Sequence, residues 1–353
     1  MRYVQPRPSS IVAALYTLRD LNVDLAILHG PSGCSFKHAR LLEEDGIRVL
    51  TTSLGDEEFI FGGQKILEDV LRYAEKEFSP RRIAVVGTCV SMIIGEDLEA
   101  AIEASGITIP AIGVSIHAGF RENIAGVIAA LEPAARVGWI SEEELERQRG
   151  VLASANLTER ERGAACKTYI APSRGDLKHV AAAELAALLR SGKKGMAIMN
   201  AKKETAYMFA DHLCAVHECV PEANVTYVAN LEARGLPKVR GDAAMILAEL
   251  RARGIDPELI GALDEYGGNG PRIAERIAEV KPEFLLLVGV PHAVSPAALA
   301  GIKVFSVTNG PRQVLPLKEQ GHAHVMVEVD LHPKTLGVHN IVESEFGAVL
   351  RSM

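Results

Sequence analysis

The chain has 353 residues, 48% hydrophobic and 24% charged, with a formal charge of −7. That charge gives no electrostatic handle for nucleic acid or an anionic membrane surface. No apolar run approaches the roughly 20 residues that span a bilayer, so neither partner is expected, and the length allows two or three ordinary domains. The N-terminus has no signal-peptide pattern. Five cysteines (Cys34, Cys89, Cys166, Cys214 and Cys219) are an odd, low count. In a cytoplasmic protein, which this is expected to be, they are thiols or metal ligands rather than a disulfide framework.

In chain order, residues 11–22 predict a helix and 25–30 (LAILHG) a buried strand. A helix over 35–45 ends at Gly46, and IRVLTTS, 47–53, is a second strand. LGDEEFIFGGQ reads as a Gly- and acid-rich loop before a helix at 64–78. The strand IAVVG, a turn carrying Cys89 and a further helix follow. Residues 109–119 (IPAIGVSIHAG) are another strand and turn, and a helix over 121–131 stops at Pro133. Residues 134–165 are charged, lack strand signals and read as a helical connector. Strands then recur at 195–201, 225–231, 284–290, 303–308 and 322–330, with helices at about 203–218, 240–253 and 270–280. Regular alternation with short connections argues for parallel sheets. The expected fold class is α/β: two Rossmann-like doubly wound parallel-sheet domains, 1–135 and 186–353, joined by a helical linker, 136–185.

Cys34 and Cys89 occupy equivalent places in two strand-turn-helix units, and the carboxyl ends of strands in open parallel sheets are where ligands sit. The Gly-rich turns and helix starts beside them favour thiolate, and paired thiolates suit a soft metal or an iron–sulfur cluster. A cubane cluster takes four ligands. This domain offers two, and two identical subunits about a two-fold axis offer four. The alternative is that both are small apolar fillers.

His29-Gly30-Pro31-Ser32-Gly33-Cys34 resembles the HGP-x-GC motif of the catalytic component of nitrogenase-like enzymes. Gly87-Thr88-Cys89-Val90-Ser91, with Ile93-Ile94-Gly95-Glu96-Asp97 after it, resembles that family's second cysteine motif and its IGDD-like turn. PEFLLLVGVPH, 282–292, resembles its late strand. The resemblance implies a [4Fe-4S] cluster ligated by Cys34 and Cys89 and shared across a homodimer, with His29, Gly30, Gly33, Gly87 and Thr88 shaping the cofactor site. It also implies a NifH-like ATP-binding reductase as electron-donating partner. No cysteine precedes Cys34, and no counterpart of the residues holding the nitrogenase iron–molybdenum cofactor is found, which argues against nitrogen fixation. The short chain resembles instead those members that reduce a nickel tetrapyrrole substrate and close a lactam on it, on the way to coenzyme F-430. A reductase for another tetrapyrrole or a thioether, or a cluster scaffold, are the alternatives. No GxxxxGK[ST] occurs, so ATP is used by the partner rather than by this chain. HGPSGC is not GxGxxG, which favours an electron relay over hydride transfer.

His117 and His292 each end a strand and are the candidate proton donors. Asp56, Glu57 and Glu58 follow a strand and are candidates of the same kind, though an acidic run is usually a solvated loop. Arg121, Arg272 and Arg312 follow strand ends or Gly/Pro turns and could take the substrate's carboxylates bidentately. Cys214, His217 and Cys219 on one helix, and His322 and His324 alternating along a strand, are metal candidates whose commoner role is packing. Cys166 is assigned no role.

Overall fold

The computed structural model describes residues 9–353 except 35, 118, 120–122, 165–168, 329–334 and 336. Cys166 and Arg121 therefore lie outside the described residues. The chain divides into two compact units: residues 9–149 with Leu236–Lys238, and residues 150–235 with 239–353.

The N-terminal unit runs α1 (Ser10–Asp20), β1 (Leu25–His29), α2 (Phe36–Glu44), β2 (Arg48–Thr51), α3 (Asp56–Phe61), α4 (Gln64–Phe78), β3 (Ile83–Gly87), α5 (Cys89–Ile93), α6 (Leu98–Ser105), β4 (Ala111–Val114) and α7 (Ile124–Arg136), and leads into α8 (Glu142–Glu161). Its sheet is all-parallel in the order β2-β1-β3-β4. β1 and β3 are buried at every position, as their unbroken apolar runs require of central parallel strands. α4 lays Leu67, Leu71 and Ala74, one helical stripe, on that core.

The C-terminal unit continues with α9 (Lys178–Arg190), β5 (Gly195–Asn200), α10 (Ala206–Cys219), β6 (Val225–Ala229), α11 (Pro237–Ala252), β7 (Glu258–Leu259), α12 (Gly270–Val280), β8 (Phe284–Gly289), α13 (Pro296–Leu299), β9 (Lys303–Thr308), α14 (Val314–Glu319), β10 (His324–Val327) and α15 (Glu345–Arg351). Its six strands are also all parallel, ordered β10-β9-β8-β5-β6-β7. In each unit the chain starts on an inner strand, builds outward, then returns to build the other side. The order reverses between β1 and β3 in one sheet and between β5 and β8 in the other, and a crevice at the strand ends opens at such a point.

The expected loop LGDEEFIFGGQ contains a helix. In α3 three acids occupy the first turn and the Glu58 carboxylate accepts the Gly55 N–H at 2.7 Å, satisfying one of the free amides at a helix start. The helix expected to stop at Pro133 continues through it to Arg136. The strand expected at 322–330 is described only as His324–Val327, with 329 and 330 outside the described residues. β7, α13, α14 and α15 have no counterpart in the sequence reading.

Candidate functional site

The first crevice is built by the loops after β1 and β3. The strands are in register at their ends, His29 opposite Gly87. The turn after β1 closes through the Cys34 N–H to the Pro31 carbonyl at 3.0 Å, and Cys89 opens α5 directly after Thr88. Both cysteines are half-buried thiols outside any disulfide, and Cys89 is close enough for its charge to act on Cys34. Burial first, then the neighbouring Cys89, pushes the Cys34 thiol above its ordinary value, and the Thr88 hydroxyl offsets this only in part. The thiolate preference expected from the helix starts is therefore not realised at Cys34. At the start of α5 the Ser91 hydroxyl accepts the Thr88 N–H at 2.8 Å.

Glycine at position 30 is a packing requirement, since a Cβ there would lie 2.1 Å from the Thr88 Oγ1. The Thr88 hydroxyl donates to the His29 carbonyl at 2.9 Å, tying the first motif to the second. At Gly87 a Cβ would meet the Met92 sulfur at 3.1 Å. At Gly33 a Cβ would meet nothing within 4 Å, so nothing in the described chain demands glycine there.

His29 is fully buried. Its Nδ1 is 3.1 Å from the Thr52 Oγ1 and its Nε2 is 3.4 Å from the Glu96 Oε2. The second Glu96 oxygen accepts the Gly63 N–H at 2.6 Å, and Thr52 accepts the Gly30 N–H at 3.0 Å. Burial drives the His29 pKa down, outweighing the pull of Glu96. A neutral ring giving its Nε2–H to Glu96 and receiving the Thr52 hydroxyl at Nδ1 satisfies every group. His29 therefore joins the two cysteine loops, the end of β2 and the α3–α4 turn, with both nitrogens engaged inside the protein. Thr52 and Glu96 were not singled out from sequence, although Glu96 stands in the second motif. His117 follows β4, one strand beyond β3, half-buried, with Nδ1 accepting the Gly119 N–H at 3.0 Å and its carbonyl accepting the Ser10 hydroxyl.

The apolar surface of this unit gathers on the same loops. α3 buries none of its residues, and Phe59, Ile60 and Phe61 are 38%, 74% and 81% exposed. Phe36 after Cys34 and Ile93 after Cys89 are 63% and 83% exposed. Asp56 and Glu57 are exposed and Glu58 half-buried at the start of α3, so these acids serve that helix end.

The C-terminal unit places a second polar cluster at its own switch point. Asn200 and Gly289 close β5 and β8 in register. Just beyond them, the Glu159 Oε1 lies 3.2 Å from the Lys202 Nζ and 3.5 Å from the His292 Nε2. Despite its burial, Glu159 is held well below the ordinary carboxylate range by Lys202 and His292, and Lys202 is raised above the ordinary amine range by Tyr266 and Glu159. His292 is buried, and neither of its ring nitrogens has a hydrogen-bond partner among the described residues. Lys202 had a legible signal, a lysine just past a strand end. Glu159 had none, because α8 is charged on every face.

The remaining candidates do not assemble. Cys214 is fully buried and pushed up to about 12 by burial. His217 stands edge-on to Tyr227 at 6.3 Å. His324 stacks on Phe305 and meets Glu184 at 2.6 Å, whereas His322 lies ahead of β10 and bonds Ser306 at 2.6 Å. Arg272 is paired with Glu232 at 2.8 Å. No group of three or more His, Cys, Asp or Glu able to hold a metal forms among the described residues, and no described helix is long and apolar enough to cross a membrane.

Residues 10–151, which span the first crevice, match the nitrogenase component 1 type oxidoreductase family. Over 99% of its length the chain is 53% identical to the Ni-sirohydrochlorin a,c-diamide reductive cyclase complex component CfbD of Methanosarcina acetivorans, covering 97% of that protein. It is 46% identical to the protein of that name from Methanothermobacter thermautotrophicus, over 99% of this chain and 98% of the relative. The Methanocaldococcus jannaschii counterpart is 42% identical, over 98% and 97%. The chain belongs to this reductive cyclase component family of nitrogenase-like oxidoreductases.

Proposed function

We propose that this chain is the catalytic component of an ATP-dependent reductive cyclase acting in the cytoplasm on the nickel tetrapyrrole Ni-sirohydrochlorin a,c-diamide, forming seco-F-430. Its electrons come from a NifH-like ATP-binding reductase through a [4Fe-4S] cluster held by Cys34 and Cys89 of two copies. The observation that carries this reading is the pair of half-buried thiols at adjacent strand ends of the switch point.

The donor set fits such a group. Burial first, then the neighbouring Cys89, opposes ionisation of Cys34, and an iron centre would reverse that balance because a coordinating thiol is deprotonated outright. One chain presents two ligands, so a second copy completes four. The exposed apolar side chains on the same loops give that copy a surface to cover. When bound, the cluster supplies low-potential one-electron transfer. Gly30, Gly87, Thr88 and the His29–Glu96–Thr52 network hold the two loops in register, and Gly33 leaves room beside Cys34. His117 and His292 are the proton donors of this reading, with Glu159 orienting the His292 ring.

Iron analysis and electron paramagnetic resonance on anaerobically purified, dithionite-reduced protein test it. About four irons per dimer are expected, and Cys34→Ser or Cys89→Ser should abolish the signal. A serine variant that keeps a full cluster refutes the ligand assignment.

A further inference from the structure

Two arginines, Arg162 just past α8 and Arg312 just past β9, have no counter-ion among the described residues. α8 ends against the loop that follows this strand. Gln313 accepts the Ala164 N–H at 2.8 Å and donates to the Arg162 carbonyl at 3.2 Å, and Gln320 donates to the same carbonyl at 3.3 Å. Arg162 and Arg312, the neighbour of Gln313, thus stand on facing segments joined by glutamine side chains to the backbone at 162 and 164. Both are half-buried, and in each the Nε is buried with no acceptor. Among the described residues neither guanidinium has an acidic partner. Arg312 is steadied by the Tyr169 ring, 5.1 Å from its guanidinium carbon. Other arginines of this unit are paired, Arg276 with Glu258 at 2.6 Å and Arg272 with Glu232.

A partly desolvated cation without a partner is costly, as is a buried donor without an acceptor. Two such groups on adjoining segments, beyond the strand next to that of His292, are explained if an anion completes them. The guanidinium fork matches a carboxylate in a bidentate way that an ammonium does not. We propose that Arg162 and Arg312 form a carboxylate-binding subsite that takes one peripheral carboxylate arm of the tetrapyrrole. This rests on the substrate class proposed above. Adjacent strands are about 4.8 Å apart, so an arm anchored past β9 leaves the ends of β8 and β5, with His292 and Lys202, under the body of a large planar ligand.

The test is absorbance titration of the cluster-loaded protein with Ni-sirohydrochlorin a,c-diamide and with its carboxyl-methylated ester. Arg162→Gln and Arg312→Gln should each weaken binding of the free acid by about tenfold or more, raise KM and leave kcat nearly unchanged. Neither should shift the melting temperature, since no ion pair is lost. Arg312→Lys should restore little. Esterification should cost the wild type what the substitutions cost, and cost the variants nothing further. Arg272→Gln, whose guanidinium is already taken, should bind normally. Variants that bind the free acid as tightly as the wild type overturn the subsite and leave the proposed activity standing. A wild type that binds neither ligand overturns the substrate assignment and the subsite with it.

Discussion

At the scale of single residues, the two glycines of the first motif separate what the fold requires from what it leaves open. Gly30 faces Thr88 so closely that an added methyl cannot fit without moving the hydroxyl that ties the two cysteine loops. Overpacking of this kind costs about 1–3 kcal/mol, so Gly30→Ala should lower the denaturation midpoint. Gly33 has open space where its Cβ would be. Gly33→Ala should therefore melt like the wild type, yet lose iron if the cluster or the second copy occupies that space. Chemical denaturation and iron analysis on the same two variants read both halves. A Gly33→Ala protein with full iron and normal assembly would remove Gly33 from the site. His29 is the complementary case. From sequence it looks like a residue for the cofactor, and in the fold both ring nitrogens are spent on Thr52 and Glu96, which makes it a strut.

Among the elements, α3 is the outlier. A six-residue helix that buries nothing and exposes Phe59, Ile60 and Phe61 is not maintained by its own core. It is tied at one end through the Gly63 N–H to Glu96, and its apolar side chains stay exposed among the described residues. If a second copy covers them, Ile60→Asp with Phe61→Asp should convert a dimer to a monomer by light scattering and lower iron per chain. The melting of the monomer should hardly change, because no buried contact is lost. Persistence of the dimer would place the interface elsewhere. α3 also shows where sequence reading stops. The central strands could be read almost to the residue because each is a continuous apolar run flanked by turn residues, and the cysteine loops followed from them. FIF between glycines and acids has too few residues for a helical period to show. Pro133 looked like a stop because proline breaks helix interiors, yet it sits within a turn of the C-terminus of α7. On α8, uniform charge hid which carboxylate turns inward, so Glu159 and the crevice it serves could not be seen.

Across the whole chain, two parallel sheets each reverse their strand order once, and each gathers polar groups at that point: thiols in the N-terminal unit, an imidazole beside a paired carboxylate and ammonium in the C-terminal one. Burying such groups makes stability depend on pH, and His322 shows the direction. It is buried beside Ser306, and desolvation first, then His292 and Lys318, lowers it from 6.5 to about 4. Below pH 6.5 the unfolded chain takes up a proton that the folded chain refuses, so this contribution is complete above that pH and is lost progressively down to about 4. The loss is at most about 3 kcal/mol. Glu328 extends the effect. Despite desolvation, its bonds to His212 and the Phe346 N–H hold it near 2, so its contribution persists above the ordinary glutamate range and goes as the pH falls toward 2. Guanidinium midpoints at pH 7, 5 and 4 should fall steadily for the wild type. His322→Asn, which keeps a polar partner for Ser306 but cannot titrate, should flatten the slope between 7 and 4, leaving the steeper fall below it to Glu328. An unchanged slope in that variant would mean that His322 is solvated in the native protein and contributes nothing to its response to acid.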